Sequence, residues 1–65
     1  MNARIVIDSK ICHGKPVIKG TRVLVSNILG DLAAGETQEK IIQNYPSIRS
    51  DDIKAALQFD KTLAL

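Results

Sequence analysis

The sequence predicts an α+β domain that is mostly helical: a short N-terminal β-strand and a β-hairpin, followed by three helices with helix-turn-helix spacing. Three observations carry this. β-branched residues cluster in short extended runs within the first 25 residues. Beyond them, apolar residues recur at helical spacing in three stretches. Gly35 and Pro46 then punctuate those stretches. With 65 residues the chain is one domain, residues 1–25 forming the strand and basic hairpin and residues 26–65 the trihelical bundle.

Arg4 to Asp8 reads as the first strand, with Ile5 and Ile7 expected on one face and Val6 on the other. Ser9 to Lys15 is loop. Extended chain resumes at Val17-Ile18 and again at Arg22-Val23-Leu24-Val25. Ser26 is placed as the cap of the first helix, whose stripe is Ile28, Leu29, Leu32 and Ala33, and Gly35 ends it. Thr37 caps the second helix, with Glu39 in its first turn and Ile41, Ile42 and Tyr45 as its stripe. Tyr45 precedes a proline and leaves helical geometry. Ser50 is placed as the cap of the third helix, with Asp51 and Asp52 in the first turn and Ile53, Ala56 and Leu57 as the stripe, extended by Phe59, Leu63 and Ala64. The helices run to about ten, eight and fourteen residues. Ile48, an apolar residue in the turn between the second and third, is expected to plug the core.

The segment Gly14-Lys15-Pro16-Val17-Ile18-Lys19-Gly20-Thr21-Arg22 is the most informative. Pro16 fixes φ and removes a donor, Val17 and Ile18 favour extended chain, and Gly20 permits a reversal at Lys19-Gly20. The expected product is a tight basic corner on which Lys15, Lys19 and Arg22 project near one another. Such a corner can hold an anion, or it can be a solvated surface turn.

Size and charge narrow the partners. A core this small supplies roughly 3–5 kcal/mol, and a single cysteine forms no internal disulfide, so association is the remaining rescue and a homodimer is expected. The apolar end Leu63-Ala64-Leu65 would pack back on the sheet or on another chain. Net charge is only +2, but residues 1–22 carry Arg4, Lys10, Lys15, Lys19 and Arg22 against Asp8 while the remainder carries more acids than bases, so two surfaces with different partners are expected. No apolar window is long enough for a membrane span, and no secretory signal precedes the domain. With the lone Cys12 this places the chain in a reducing, prokaryotic cytoplasm.

No catalytic constellation is visible, and the chain is not expected to be an enzyme or to need a cofactor. Cys12-His13 would point to opposite faces of an extended chain, and no further Cys or His completes a zinc site. Asp51-Asp52 serves helix capping. Gly14 and Gly20 lack the Gly-Lys-Ser/Thr ending of a phosphate loop. As a DNA reader the third helix would present Asp51 and Asp52 to the phosphates and be repelled, so the basic hairpin is the better candidate for a groove.

Two blocks of the chain occur in order, Gly14 to Arg22 and Tyr45-Pro46 with Asp52-Ile53 and Ala56-Leu57, with Ala34-Gly35-Glu36-Thr37 between them. They resemble a prokaryotic family of small domains of unknown function, the one numbered four-three-three, within the homeodomain-like superfamily. The resemblance runs from Ile5 to Phe59, and Cys12 departs from the family's usual small or polar residue before the glycine. It implies a strand and hairpin followed by a trihelical bundle. It also implies an antitoxin of a type II toxin-antitoxin system, which binds and neutralises a PIN-like nuclease toxin and represses its own operator DNA. No catalytic residue carries over. What carries over is Gly14, Lys15, Pro16, Gly20, Thr21 and Arg22 as the signature segment; the basic corner itself makes Lys15, Lys19, Thr21 and Arg22 the expected partner- or nucleic-acid-binding set, with Gly14, Pro16 and Gly20 structural. Arg22 is the best placed of these to reach an acidic nuclease site, because its fork grips a carboxylate bidentately. The alternative reading is a dimeric helix-turn-helix transcriptional regulator without a toxin partner.

Overall fold

The computed structural model describes the backbone of residues 3–63 and the side chains of residues 3–60. Two strands, β1 (Ile5–Val6) and β2 (Val17–Ile18), precede three helices, α1 (Val25–Ala33), α2 (Gln38–Asn44) and α3 (Ser50–Leu63). The α+β, mostly helical class is as the sequence predicts, and the helices have nine, seven and fourteen residues.

β1 and β2 pair antiparallel, Ile5 opposite Ile18 and Val6 opposite Val17. The Lys19 amide adds a bond to the Arg4 carbonyl at 2.8 Å. On its other side β2 meets the chain that follows it: Ile18 donates to the Val23 carbonyl at 3.0 Å, and Leu24 forms a single bridge with Val17. The expected third strand over Arg22–Val25 is therefore cut to one bridge, because Val25 is already the first residue of α1. β1 is shorter than the expected Arg4–Asp8. Asp8 turns the chain away, its side chain accepting from the Lys10 amide at 2.8 Å and its carbonyl from Ile11 at 2.8 Å. Ile7 thus falls outside the ladder and is 51% exposed, not inward beside Ile5.

The sheet leans on the helices through one core: Ile5, Ile18, Val25, Ile28, Ile41, Ile48, Ile53, Ala55 and Ala56. Val23, Leu29, Leu32, Ile42, Tyr45 and Phe59 pack against it. Ile48 sits in the connection between α2 and α3 with its side chain fully buried, as expected. The third stripe is rotated from expectation: Ala55 is buried and Leu57 is 43% exposed. Two adjacent alanines face inward there, so the inner face of α3 turns toward Ala55 and away from Leu57. The expected apolar tail Leu63-Ala64-Leu65 lies outside the residues whose side chains are described.

Helix ends are where local chemistry shows most clearly. α1 closes with Gly35 N–H to the Leu32 carbonyl and Glu36 N–H to the Asp31 carbonyl, both at 3.0 Å, with Gly35 at φ +89°. That paired closure needs a left-handed residue, which glycine adopts without a Cβ penalty. Thr37 caps α2, its Oγ1 accepting from the Lys40 amide at 3.1 Å. α2 stops at Asn44, and Tyr45 before Pro46 has φ −128°, ψ 78°. The other two expected caps are corrected. Leu24, without a capping oxygen, precedes α1, so Ser26 lies inside the helix. Ser50 is the first residue of α3, and the capping oxygen belongs to Asp52, which accepts from the Arg49 amide at 2.9 Å. This is half of a capping box, a carboxylate reaching back over the first turn.

Candidate functional site

The corner is built by backbone chemistry. Residues Ile18 to Thr21 form a β-turn, closed by the Thr21 amide on the Ile18 carbonyl at 3.0 Å, with Gly20 at φ +79°. That third turn position requires positive φ, which is the job of the glycine. Thr21 then locks the exit. Its hydroxyl donates to the Ile18 carbonyl at 2.8 Å and accepts from the Val23 amide at 3.0 Å. Both capacities of the hydroxyl are used within the turn, so Thr21 holds the corner in shape. Pro16 accepts from the Val25 amide at 3.0 Å and ties the corner's base to the start of α1.

The three cations are not equally placed. Lys19 and Arg22 flank the turn, whereas Lys15 stands beyond the far end of β2, four residues from Lys19 and hence about 13 Å along extended chain. Lys15 itself is extended, φ −76° and ψ 146°, as a residue before proline should be. All three are exposed, and among the described residues no carboxylate stands within ion-pair distance of any of them. The arms behind the turn are not free. Val17 and Ile18 are both buried, so only the tip from Lys19 to Arg22 protrudes.

What the sequence did not reveal is the neighbour that this tip acquires. Residues Cys12 to Gly14 make a single left-handed turn, with φ of +48° at Cys12, +58° at His13 and +80° at Gly14. The Gly14 and Lys15 amides close it on the Ile11 and Cys12 carbonyls at 3.0 and 3.2 Å. Cys12 and His13 are therefore not on extended chain. Two successive non-glycine residues in that region are costly, because each Cβ crowds its own carbonyl. The turn folds the loop over the corner. Cys12 Sγ lies 3.9 Å from the Arg22 carbonyl, and Ile11 joins Gly20, Thr21 and Arg22 in lining an open depression of about 370 Å³. Nothing in the residue types Ile11 and Cys12 signals this contact; the positive φ values that create it are a property of the folded chain.

A second charged feature lies on α3. Arg4, just before β1, donates from Nη1 to Asp52 Oδ1 at 3.0 Å and places Nη2 3.5 Å from Asp51 Oδ2. Asp52 is the buried charged residue of the core, 7% exposed. The acidic first turn of α3 is thus held by the domain's own arginine, and Asp51 and Asp52 serve the fold. Among the described residues no group of three or more His, Cys, Asp or Glu side chains is gathered as a metal site would need, and no helix is long and apolar enough to cross a membrane.

A family model described as "Protein of unknown function (DUF433)" matches residues 5–59. The chain is 36% identical over 56 residues to "Uncharacterized protein y4eO" of Sinorhizobium fredii (strain NBRC 101917 / NGR234), a match covering 83% of this chain and 25% of that protein. It is 34% identical over 56 residues to "Putative antitoxin VapB45" of Mycobacterium tuberculosis (strain ATCC 25618 / H37Rv), covering 86% of this chain and 23% of that protein. The chain spans about a quarter of the length of these curated relatives. No solved structure matches it.

Proposed function

The chain belongs to the DUF433 family, and we propose on that premise that it is an antitoxin-like binding domain of a type II toxin-antitoxin pair, acting on a PIN-like nuclease. It works by occupying its partner and carries out no reaction of its own. The observation that carries the reading is the protruding tip from Lys19 to Arg22, whose cations are exposed and unpaired with any carboxylate among the described residues. Among the described residues, the pairing of a basic group with an acidic pair falls to Arg4, at a different place. The 34% identity to a protein whose name is that of an antitoxin supports the same reading.

In this reading the acidic, metal-binding centre of the nuclease receives Arg22. A guanidinium donates to two carboxylate oxygens in a planar fork, so it competes with a metal ion for the same ligands. The locked turn keeps Arg22 at the surface, which lowers the ordering cost on binding. Operator binding and a homodimer would accompany this role, in a cytoplasmic setting. For DNA, the exposed tip is the part of the hairpin offered to a groove, while both residues of β2 are buried.

The test is co-purification with the product of the adjoining gene, which this reading expects to be a PIN-like nuclease, followed by RNA-cleavage assays at fixed ratio. The wild-type domain should bind and silence the nuclease. Arg22→Ala should lose inhibition by about tenfold or more, the loss of one charge-assisted bidentate contact. A purely DNA-binding regulator would leave the nuclease active, and its affinity for DNA would fall steeply with salt. Unchanged inhibition by Arg22→Ala removes the role of that residue; absence of any complex removes the reading.

A further inference from the structure

The depression beside Arg22 has no part in the core, yet it costs the chain a strained turn to make. Cys12 and His13 both hold positive φ. Backbone strain of this kind persists where the surroundings impose it and clusters at ligand clamps. Its consequence here is specific: Ile11 is brought against Gly20, Thr21 and Arg22, residues that the sequence separates from it by nine positions or more.

The lining has two characters. Ile11 offers an apolar wall, and a Cβ at Gly20 would meet nothing within 4 Å, so the space above that glycine is open. Arg22 supplies a cation at the rim, and Lys10 and Lys19, the chain neighbours of Ile11 and Gly20, are exposed. The Thr21 hydroxyl hydrogen is already donated within its own turn. The depression therefore offers charge from arginine and apolar contact from isoleucine, with no further side-chain donor from its lining. At about 370 Å³ it stands at the small end of the range for ligand clefts.

We propose that this depression is a receptor for a short acidic segment of the partner protein, in which a Glu or Asp side chain pairs with Arg22 and an adjacent apolar side chain rests on Ile11 over Gly20. A phosphate group would use the arginine but gain nothing from the isoleucine wall; an acidic peptide uses both. The inference rests on the partner-binding reading above and deepens it, because it adds Ile11 to the recognition surface and makes the contact two-part.

The experiment is an NMR titration of the intact ¹⁵N-labelled chain with acetyl-Leu-Glu-Leu-amide, with acetyl-Leu-Gln-Leu-amide and inorganic phosphate as separate arms. Expected are shifts confined to residues 11–14 and 19–22, and binding of the Glu peptide about tenfold tighter than either other probe. Arg22→Gln should abolish that preference, and Ile11→Ser should weaken the Glu peptide several-fold while leaving the phosphate arm unchanged. Both positions are away from the buried core, and retained dispersion of the core amides verifies the fold of each variant. Equal binding of the Glu and Gln peptides, phosphate binding as tightly as the Glu peptide, or no shifts at these residues up to about 10 mM peptide overturns the proposal. Nuclease silencing that survives Ile11→Ser while failing with Arg22→Ala overturns the two-part receptor and leaves the partner-binding reading in place.

Discussion

Asp52→Asn should destabilise the domain far more than Asp51→Asn, although the two residues are neighbours in the same helical turn. Both sit at the start of α3 and share the favourable interaction with the helix dipole, about 0.3–1 kcal/mol each. They differ in what else they touch. Asp51 has one contact at 3.5 Å, with its side chain 62% exposed, and such a pair contributes about 0.5 kcal/mol or less. Asp52 is buried, accepts from the Arg49 amide at 2.9 Å and from Arg4 Nη1 at 3.0 Å. Asparagine keeps one acceptor and turns an amine toward a donor. Loss of the second bond would be worth about 1.5–3 kcal/mol if fully buried. The Arg4 side chain is 49% exposed, so solvent screening brings the combined figure for Asp52→Asn to roughly 2 kcal/mol. That is close to half of what a core of this size supplies, and corresponds to about 8–16 °C in Tm. Urea and thermal unfolding followed by circular dichroism measure it. A cycle with Arg4→Gln should show a coupling near 1 kcal/mol for Asp52 and none resolvable for Asp51. Equal effects at the two aspartates would refute the assignment of Asp52 as the residue that pins β1 to α3.

Three further outcomes follow from the corrected helix ends, the core and the left-handed turn. Thr37→Ala should cost about 1 kcal/mol, while Ser26→Ala and Ser50→Ala should each stay within about 0.5 kcal/mol, since neither serine caps its helix; urea midpoints distinguish these. Ile48→Val should cost about 0.5–1.5 kcal/mol and Ile48→Ala about 2–5 kcal/mol, the latter enough to leave this small chain largely unfolded by circular dichroism at 25 °C. His13→Val should cost about 1–2 kcal/mol more than His13→Gly, because the site has φ +58°; on extended chain the order would reverse, and comparing the two melting curves decides it.

The corner and its surroundings differ in how far they could be read from residue types. Gly20 at positive φ, Thr37 as a cap, Gly35 closing α1, Pro46 ending α2 and Ile48 in the core all follow from side-chain chemistry acting over three or four residues, and all stand as expected. Ser26 and Ser50 carry the same local signal as Thr37 but do not cap. In the first case pairing of Leu24 with β2 and the bond from Val25 to Pro16 start the helix two residues earlier. In the second, the carboxylate of Asp52 takes the Arg49 amide. Ile7 has the right residue type for the core and is exposed, because Asp8 turns the chain before the ladder can reach it.

The sequence by itself determined the helical order, the glycine-dependent turn at Lys19-Gly20 and the cationic character of Arg22 and its neighbours, since these depend on propensities and charges that act locally. Folding set the long-range relations: Arg4 bonds Asp52, and Ile11 lines one depression together with Arg22. The first is a contact between residues 48 positions apart, and the second depends on two non-glycine residues held at positive φ. Neither is favoured by the residues taken singly, and both exist because burial of the shared core brings the N-terminal strand, the loop and α3 together.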